Sequence, residues 1–221
     1  MSTNVYLKDR AATRTSKVRR RNAVATREAI LVSARRAFAR SGYDGVGVRE
    51  IAKGAGVTAM MVNRYFGSKQ ELFAEVAAET MATPTILTPK ILASRRAGEA
   101  IATALVGLTG KDAAPLDGFL ITLHSASSKP AAKIGRHQIE KHHQKVTAAA
   151  LNGDLAPQRA ALVLSLIAGF QVMRQMIGLS ALADADPKML VKILAPLFQQ
   201  LVEGEPRLWR SVTERDLTNK T

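Results

Sequence analysis

The chain contains no cysteine. Disulfides, thiolate nucleophiles and Cys-ligated zinc or iron–sulfur sites are therefore excluded. Long apolar runs are also missing. The stretches 160–164 and 166–170 are separated by Ser165 and closed by Gln171, well short of the roughly 18 apolar residues of a spanning helix. The first ten residues, MSTNVYLKDR, hold no apolar core of a secretory leader, so none is expected. No alternation of β-branched residues suggests a sheet, and no internal repeat is visible. Acidic residues are scarce, at 18 against 32 Lys plus Arg, for a net charge of +14.

The 221 residues are 47% hydrophobic and 23% charged. That is enough for a real core, and at about 150 residues per domain the prior is one or two domains. The charge is uneven. Residues 1–21 carry seven bases and one acid, residues 22–80 eight and six, and residues 81–221 seventeen and eleven. Residues 1–23 lack apolar periodicity and read as a mobile basic arm. A polyanion is the expected partner, and nucleic acid the commonest one. The alternative is a solubilising tail.

Helical signals begin near Thr26, with Ile30, Ala34, Ala37 and Phe38 on one face. Gly42 closes this helix, because a glycine takes the positive φ after a helix end without strain. A short helix over about 48–55 gathers Ile51, Ala52 and Ala55. After Gly56-Val57, Thr58 is placed to cap a helix over 59–66. Ser68 and Glu71 form a capping box opening a fourth helix to about Met81. Pro84 and Pro89 then bracket a joint, giving domains 24–84 and 85–221. Helices are expected near 90–108, 116–128, 131–151, 158–180 and 187–203, the last capped by Asp186 before Pro187 and kinked by Pro196. The fold class is all-α.

The pair of short helices joined through Gly56-Val57-Thr58, within 47–66, has the form of a helix-turn-helix. The first helix crosses the DNA backbone and the second lies in the major groove, its N-terminal residues nearest the base edges.

The wider block is more specific: Ile30-Leu31, Ala34 and Phe38; Ser41-Gly42-Tyr43; Val48-Arg49-Glu50-Ile51-Ala52; Ala55-Gly56-Val57-Thr58; Tyr65-Phe66; Ser68-Lys69; Leu72-Phe73. Over about 24–84 this order resembles the tetracycline-repressor (TetR) family of bacterial transcriptional regulators. The rest resembles only that family's all-helical plan. The resemblance implies a homodimer that binds a near-palindromic double-stranded operator, usually represses, and lets go when a small-molecule effector enters the C-terminal domain. It implies DNA-facing roles for Arg49 and Tyr65, a cap and phosphate contact for Thr58, and a phosphate contact for Lys69 at a helix N-terminus. Ile51, Val57, Val62 and Phe66 are implied to hold the helices together. Met60 stands where the family usually has Gly, Asn63 where it has Tyr, and Gly47 where it often has Ser or Thr. Asn63 can donate to phosphate or pair with adenine, Met60 and Met61 can touch a thymine methyl, and Arg64 can reach guanine or phosphate.

Elsewhere the readings are open. His137, His142 and His143 share a polar helix with Glu140, but the i, i+4 His pair of helical metal sites is absent, and a solvated face is expected. His124, among Phe119, Leu120 and Leu123, is either a core histidine or part of a pocket with Phe119, Leu123, Phe170 and Met173. The nearly all-round apolar helix 158–180 must be buried on two sides. It and the last helix are expected to form a four-helix dimer interface through Leu162, Leu166, Phe170, Leu194, Phe198 and Leu201. An apolar or amphipathic ligand follows from those helices.

No Ser/His/Asp or paired-carboxylate pattern suggests catalysis, and no cofactor or metal is called for. A cytoplasmic, nucleoid-associated regulator with no membrane partner is the expectation. The competing classes are a nonspecific or architectural nucleic-acid binder driven by the basic arm, and an enzyme with a helical pocket.

Overall fold

The computed structural model describes residues 3–111, 113–114 and 116–204, with side chains from residue 22 onward. Every regular element among them is helical, so the all-α expectation holds. Helix α1 spans Thr3–Ser41. The basic stretch expected to be an irregular arm is thus helical from Thr3, and the helix does not begin at Thr26. No proline or glycine interrupts residues 3–41, and Ala and Arg are among the strongest helix formers. The helix stops at Gly42, which sits at φ 67.

The described chain divides by contact into two compact units, residues 1–77 with 120–133, and 78–119 with 134–221. The break between Ala77 and Ala78 precedes the expected boundary at 84–85, and the first unit recruits a distant segment that no local signal marked.

The first unit contains α1, α2 (Val48–Gly54), α3 (Ala59–Phe66) and most of α4 (Lys69–Met81). Its core is Ile30, Leu31, Ala34, Phe38, Ile51, Val62, Leu72 and Phe73, all nearly inaccessible to solvent. Burying each of the larger side chains stabilises the fold by roughly 1.5–3 kcal/mol. Phe73 packs edge-on to both Phe38 and Tyr43, at 5.1 Å between centroids. The recruited segment seals the end of α1. The Ala39 carbonyl lies 2.7 Å from His124 Nδ1, Tyr43 N donates to Ser125 Oγ at 2.9 Å, and Ser128 Oγ donates to Asp44 Oδ1 at 3.1 Å.

The second unit departs from the expected helices where polar side chains compete with the helix backbone. The expected helix 90–108 is two, α5 (Pro89–Leu92) and α6 (Ala97–Leu108). Between them Ser94 Oγ accepts from Arg96 N at 3.2 Å, a local bond that competes with helix continuation. Helix α7 (Asp117–His124), which runs into the first unit's segment 120–133, stops before a turn, and α8 (Lys129–Ile139), which leads back out of it, begins ahead of Pro130. A π-helical turn over Glu140–Gln144 leads into α9 (Lys145–Ala150). His137 and Glu140 are exposed, as a solvated face requires, but this turn leaves His142 and His143 half-buried, so that expectation is corrected at those two positions. Burial, followed by the nearby His142, pushes the His143 imidazole below its usual value.

Helix α10 (Ala156–Gln171) continues into a π-helical turn (Val172–Met176), followed by α11 (Ser180–Ala183) and α12 (Pro187–Glu203). As expected, Asp186 caps α12 by accepting from Lys188 N at 3.2 Å. Stretch Ala156–Met176 is the one among the described residues long and apolar enough to cross a membrane by length and composition. Here Val163, Ile167 and Phe170 pack with Ile101, Leu105, Leu190, Leu194 and Phe198 in the unit's core.

Three expected interface residues are thereby corrected. Phe170, Leu194 and Phe198 are buried inside the second unit's own core and have no free face for a partner. Leu166 and Leu201 are half-buried against that core. Leu162 alone of the six is exposed, at 47%. The large apolar residues that α10, its π turn and α12 do leave exposed are Leu162, Met173, Met176, Met189, Ile193 and Leu197. A helix apolar on two sides carries two such sets one residue out of step, and periodicity separates them only when the buried set is known.

Two arginines on the same stretch point inward. Arg159 is completely buried. Its Nε donates to Asp154 O at 2.9 Å, its Nη1 to Leu201 O and Val202 O at 3.1 Å each, and its Nη2 to Asn152 O. The carbonyls of Leu201 and Val202 are among the last four of α12, which have no acceptor role within the helix. A cation there also complements the helix dipole.

Candidate nucleic-acid interface

Helix α2 ends in a glycine-based cap. Val57 N returns to Ala52 O at 3.0 Å and Gly56 N to Lys53 O at 3.2 Å. This geometry needs a left-handed residue, and Gly56 supplies it at φ 68. The chain then turns so that Thr58 Oγ1 accepts from Met61 N at 3.3 Å, capping α3. Ser68 Oγ accepts from Glu71 N at 3.1 Å and donates to Glu71 Oε2 at 3.0 Å, so the expected box opens α4. Behind α2, Ser33 Oγ donates to Ile51 O at 2.8 Å, and Arg40 pairs with Glu50. Arg27 pairs with Glu75 and lies 4.9 Å over the Phe66 ring.

Helix α3 buries Val62 and Phe66, four residues apart, on one face. The opposite face is open: Met60 is 78% exposed, and Asn63 and Arg64 are exposed as well. Met61 and Tyr65 are half-buried at the edges. The structure thus separates the residues expected to hold the helices from those expected to meet DNA. Val57 is only half-buried.

Arg49 is exposed on α2. Lys69, first residue of α4, is half-buried, with Nζ 4.3 Å above the Tyr43 ring. The Tyr43 phenol is pushed up by burial and then by Asp44, so the ring stays neutral beneath the ammonium. Over residues 47–69, Arg49, Lys53, Arg64 and Lys69 face a single acid, Glu50, which is already paired. The segment is net positive and suits a polyanion. Lys53, exposed in the last turn of α2, was not singled out in the sequence; its signal is the spacing of four from Arg49.

Of the expected pocket residues, Phe119, Leu123 and His124 lie on α7, where His124 is exposed and is not a core histidine. Phe119 belongs to the second compact unit, Leu123 and His124 to the first. Phe170 is core and Met173 is 47% exposed. A cleft in the second unit is lined by none of the five.

A capped helix-turn-helix on a three-helix scaffold, joined to an all-helical unit, defines a DNA-binding regulator class. Residues 30–76 match the model of bacterial regulatory proteins of the tetR family, and residues 95–202 match the tetracyclin repressor-like C-terminal domain. The chain belongs to the TetR family of transcriptional regulators.

No curated protein sequence matches the chain. Solved structures similar in fold include a putative TetR-family regulator from Rhodococcus sp., at 16% identity and TM-score 0.58, covering 81% of this chain and 100% of that one. The fatty acid degradation regulator FadR from Bacillus halodurans aligns at 16% identity and TM-score 0.55, covering 81% and 96%. AibR, solved with isovaleryl coenzyme A and operator DNA, aligns at 15% identity and TM-score 0.54, covering 78% and 97%.

Proposed function

We propose that the protein is a homodimeric repressor that binds a near-palindromic operator and is released by a small molecule held in its second unit. The observation that carries the reading is the division of α3: Val62 and Phe66 anchor it, while Met60, Asn63 and Arg64 stand free. In this reading Asn63, Arg64, Met60 and Met61 meet base edges, and Arg49, Thr58, Tyr65 and Lys69 hold phosphates, which fixes register without reading sequence. The partner subunit packs on the exposed apolar set Leu162, Met173, Met189, Ile193 and Leu197. The basic residues of 1–21 add affinity and salt dependence. The protein acts in the cytoplasm, on the nucleoid, as a regulator rather than an enzyme. Support for a ligand-responsive role comes from AibR, a relative in fold that was solved with both an acyl coenzyme A and its operator.

Selection of bound sequences from random duplexes tests it. A two-fold motif with half-sites about one helical turn apart, roughly 10 bp or a multiple, is expected. Binding with steep salt dependence but no recovered motif would instead assign the nonspecific class.

A further inference from the structure

The second unit carries a cleft of about 1040 Å³ beside α6 and α12, at the upper end of the range for small-molecule sites. Val106, Val191, Ala195 and Pro187 give it an apolar wall. Its charges are lopsided: Lys111, Arg174, Lys188 and Lys192 against Glu99 and Asp184. Both acids already have a cation nearby. Glu99 pairs with Arg96, and Asp184 lies 3.9 Å from Lys111 Nζ.

Arg174 is only 6% exposed. Its Nε donates to Leu182 O at 3.1 Å, and its Nη1 to Val106 O at 2.8 Å and Thr109 Oγ1 at 2.9 Å. These dipoles fix the guanidinium without neutralising it, and among the described residues no carboxylate pairs with it. Burial pushes its pKa down from the usual value. The contrast with Arg159 is informative. Arg159 bonds to carbonyls through all three of its nitrogens, whereas among the described residues Nη2 of Arg174 has no such bond, and Arg174 lines the cleft. A buried cation without a counter-charge is costly to keep, and a planar guanidinium suits a carboxylate.

We propose that this cleft binds an amphipathic carboxylate, its apolar body against Val106, Val191 and Ala195 and its carboxylate at Arg174, with Lys188 and Lys192 at the mouth. This rests on the reading that the second unit takes the effector, and it narrows that effector to an anion. Gly107 offers a clean block. It lines the cleft, and a Cβ built on it meets nothing within 4 Å. Gly107→Leu therefore adds bulk inside the cleft without disturbing the core.

The test is calorimetric titration of the full chain with decanoate and with 1-decanol, with operator binding measured in parallel. Decanoate is expected to bind at least about tenfold tighter than 1-decanol, as a hydrogen bond to a charged group implies. Arg174→Gln should erase that preference. Because Arg174 also holds carbonyls, the surface pair Lys188→Glu with Lys192→Glu is measured too, and it should weaken decanoate while sparing 1-decanol. Gly107→Leu should weaken binding of both and keep operator affinity. Failure of decanoate to bind, equal binding of the two probes, or unchanged decanoate binding in Gly107→Leu would overturn the assignment. Tight decanoate binding that leaves the operator bound would uphold the anion site and overturn the effector reading alone.

Discussion

The two units use charge in opposite ways. The first turns the bases of its helix-turn-helix outward: Arg49, Lys53 and Arg64 are exposed on a scaffold held by caps and an apolar core. The second takes cations inside: Arg159 and Arg174 are both buried and bonded to backbone carbonyls. Charges on the outside of a finished scaffold can be exchanged with little effect on folding. Those inside are part of the scaffold, and removing one leaves acceptors stranded. The first arrangement suits recognition of an external polyanion, the second a unit whose interior is polar at chosen points.

The largest expected effect attacks the inner set. Arg159→Met keeps the apolar stem but strands carbonyls at the end of α12 and in the loop before α10, and should cost about 3–5 kcal/mol of stability. Denaturant unfolding reads it, and a loss below about 1 kcal/mol would mean water takes over those acceptors.

Next come paired substitutions on α12. Ile193→Glu, at a position 55% exposed, should leave the monomer folded and dissociate the dimer, whereas Phe198→Glu, fully buried, should unfold the unit. Sedimentation with circular dichroism distinguishes these outcomes. A folded, dimeric Ile193→Glu chain would place the interface elsewhere.

On the outer set, Arg49→Ala and Tyr65→Phe should each weaken operator binding about 3–10-fold with unchanged unfolding. Losses should be similar across operator variants, and Arg49→Ala should reduce the salt slope by about one unit per site.

The smallest effect is a pH dependence confined to the second unit. The folded-state pKa of His143 lies below its ordinary value of 6.5, so the unfolded chain binds the proton more readily. Stability is therefore full above about pH 6.5 and declines as the pH falls toward the lowered value. Thermal midpoints at pH 7.5 and 5.5 should differ in that direction, and less so in His143→Gln.

The contrast also decides what could be read in advance. The turn at Gly56, the cap at Thr58 and the box at Ser68 and Glu71 are signals within three or four residues, and α3 falls where they put it. Arg159 and Arg174 were passed over because a lone arginine is ordinarily a surface residue. Their register held a clue: they sit with Ala160, Val163, Ile167 and Phe170 on the buried stripe. The same register would have moved Phe170 from interface to core. The cleft was beyond local reading, since α6 and α12 lie about ninety residues apart in the chain.

The segment 120–133 has a consequence for the order of synthesis. Ile121, Ser125, Ser128 and Ala131 are buried within the first unit, and a side chain at Gly42 would collide with the His124 carbonyl. The ribosome releases residues 1–77 well before this segment. At about 5–20 residues per second the wait is roughly 3–11 s, during which the end of α1 is unsealed. A nascent chain cannot finish its DNA-binding half until more than half of the polypeptide exists. A fragment ending at residue 84 should accordingly melt below the intact first unit.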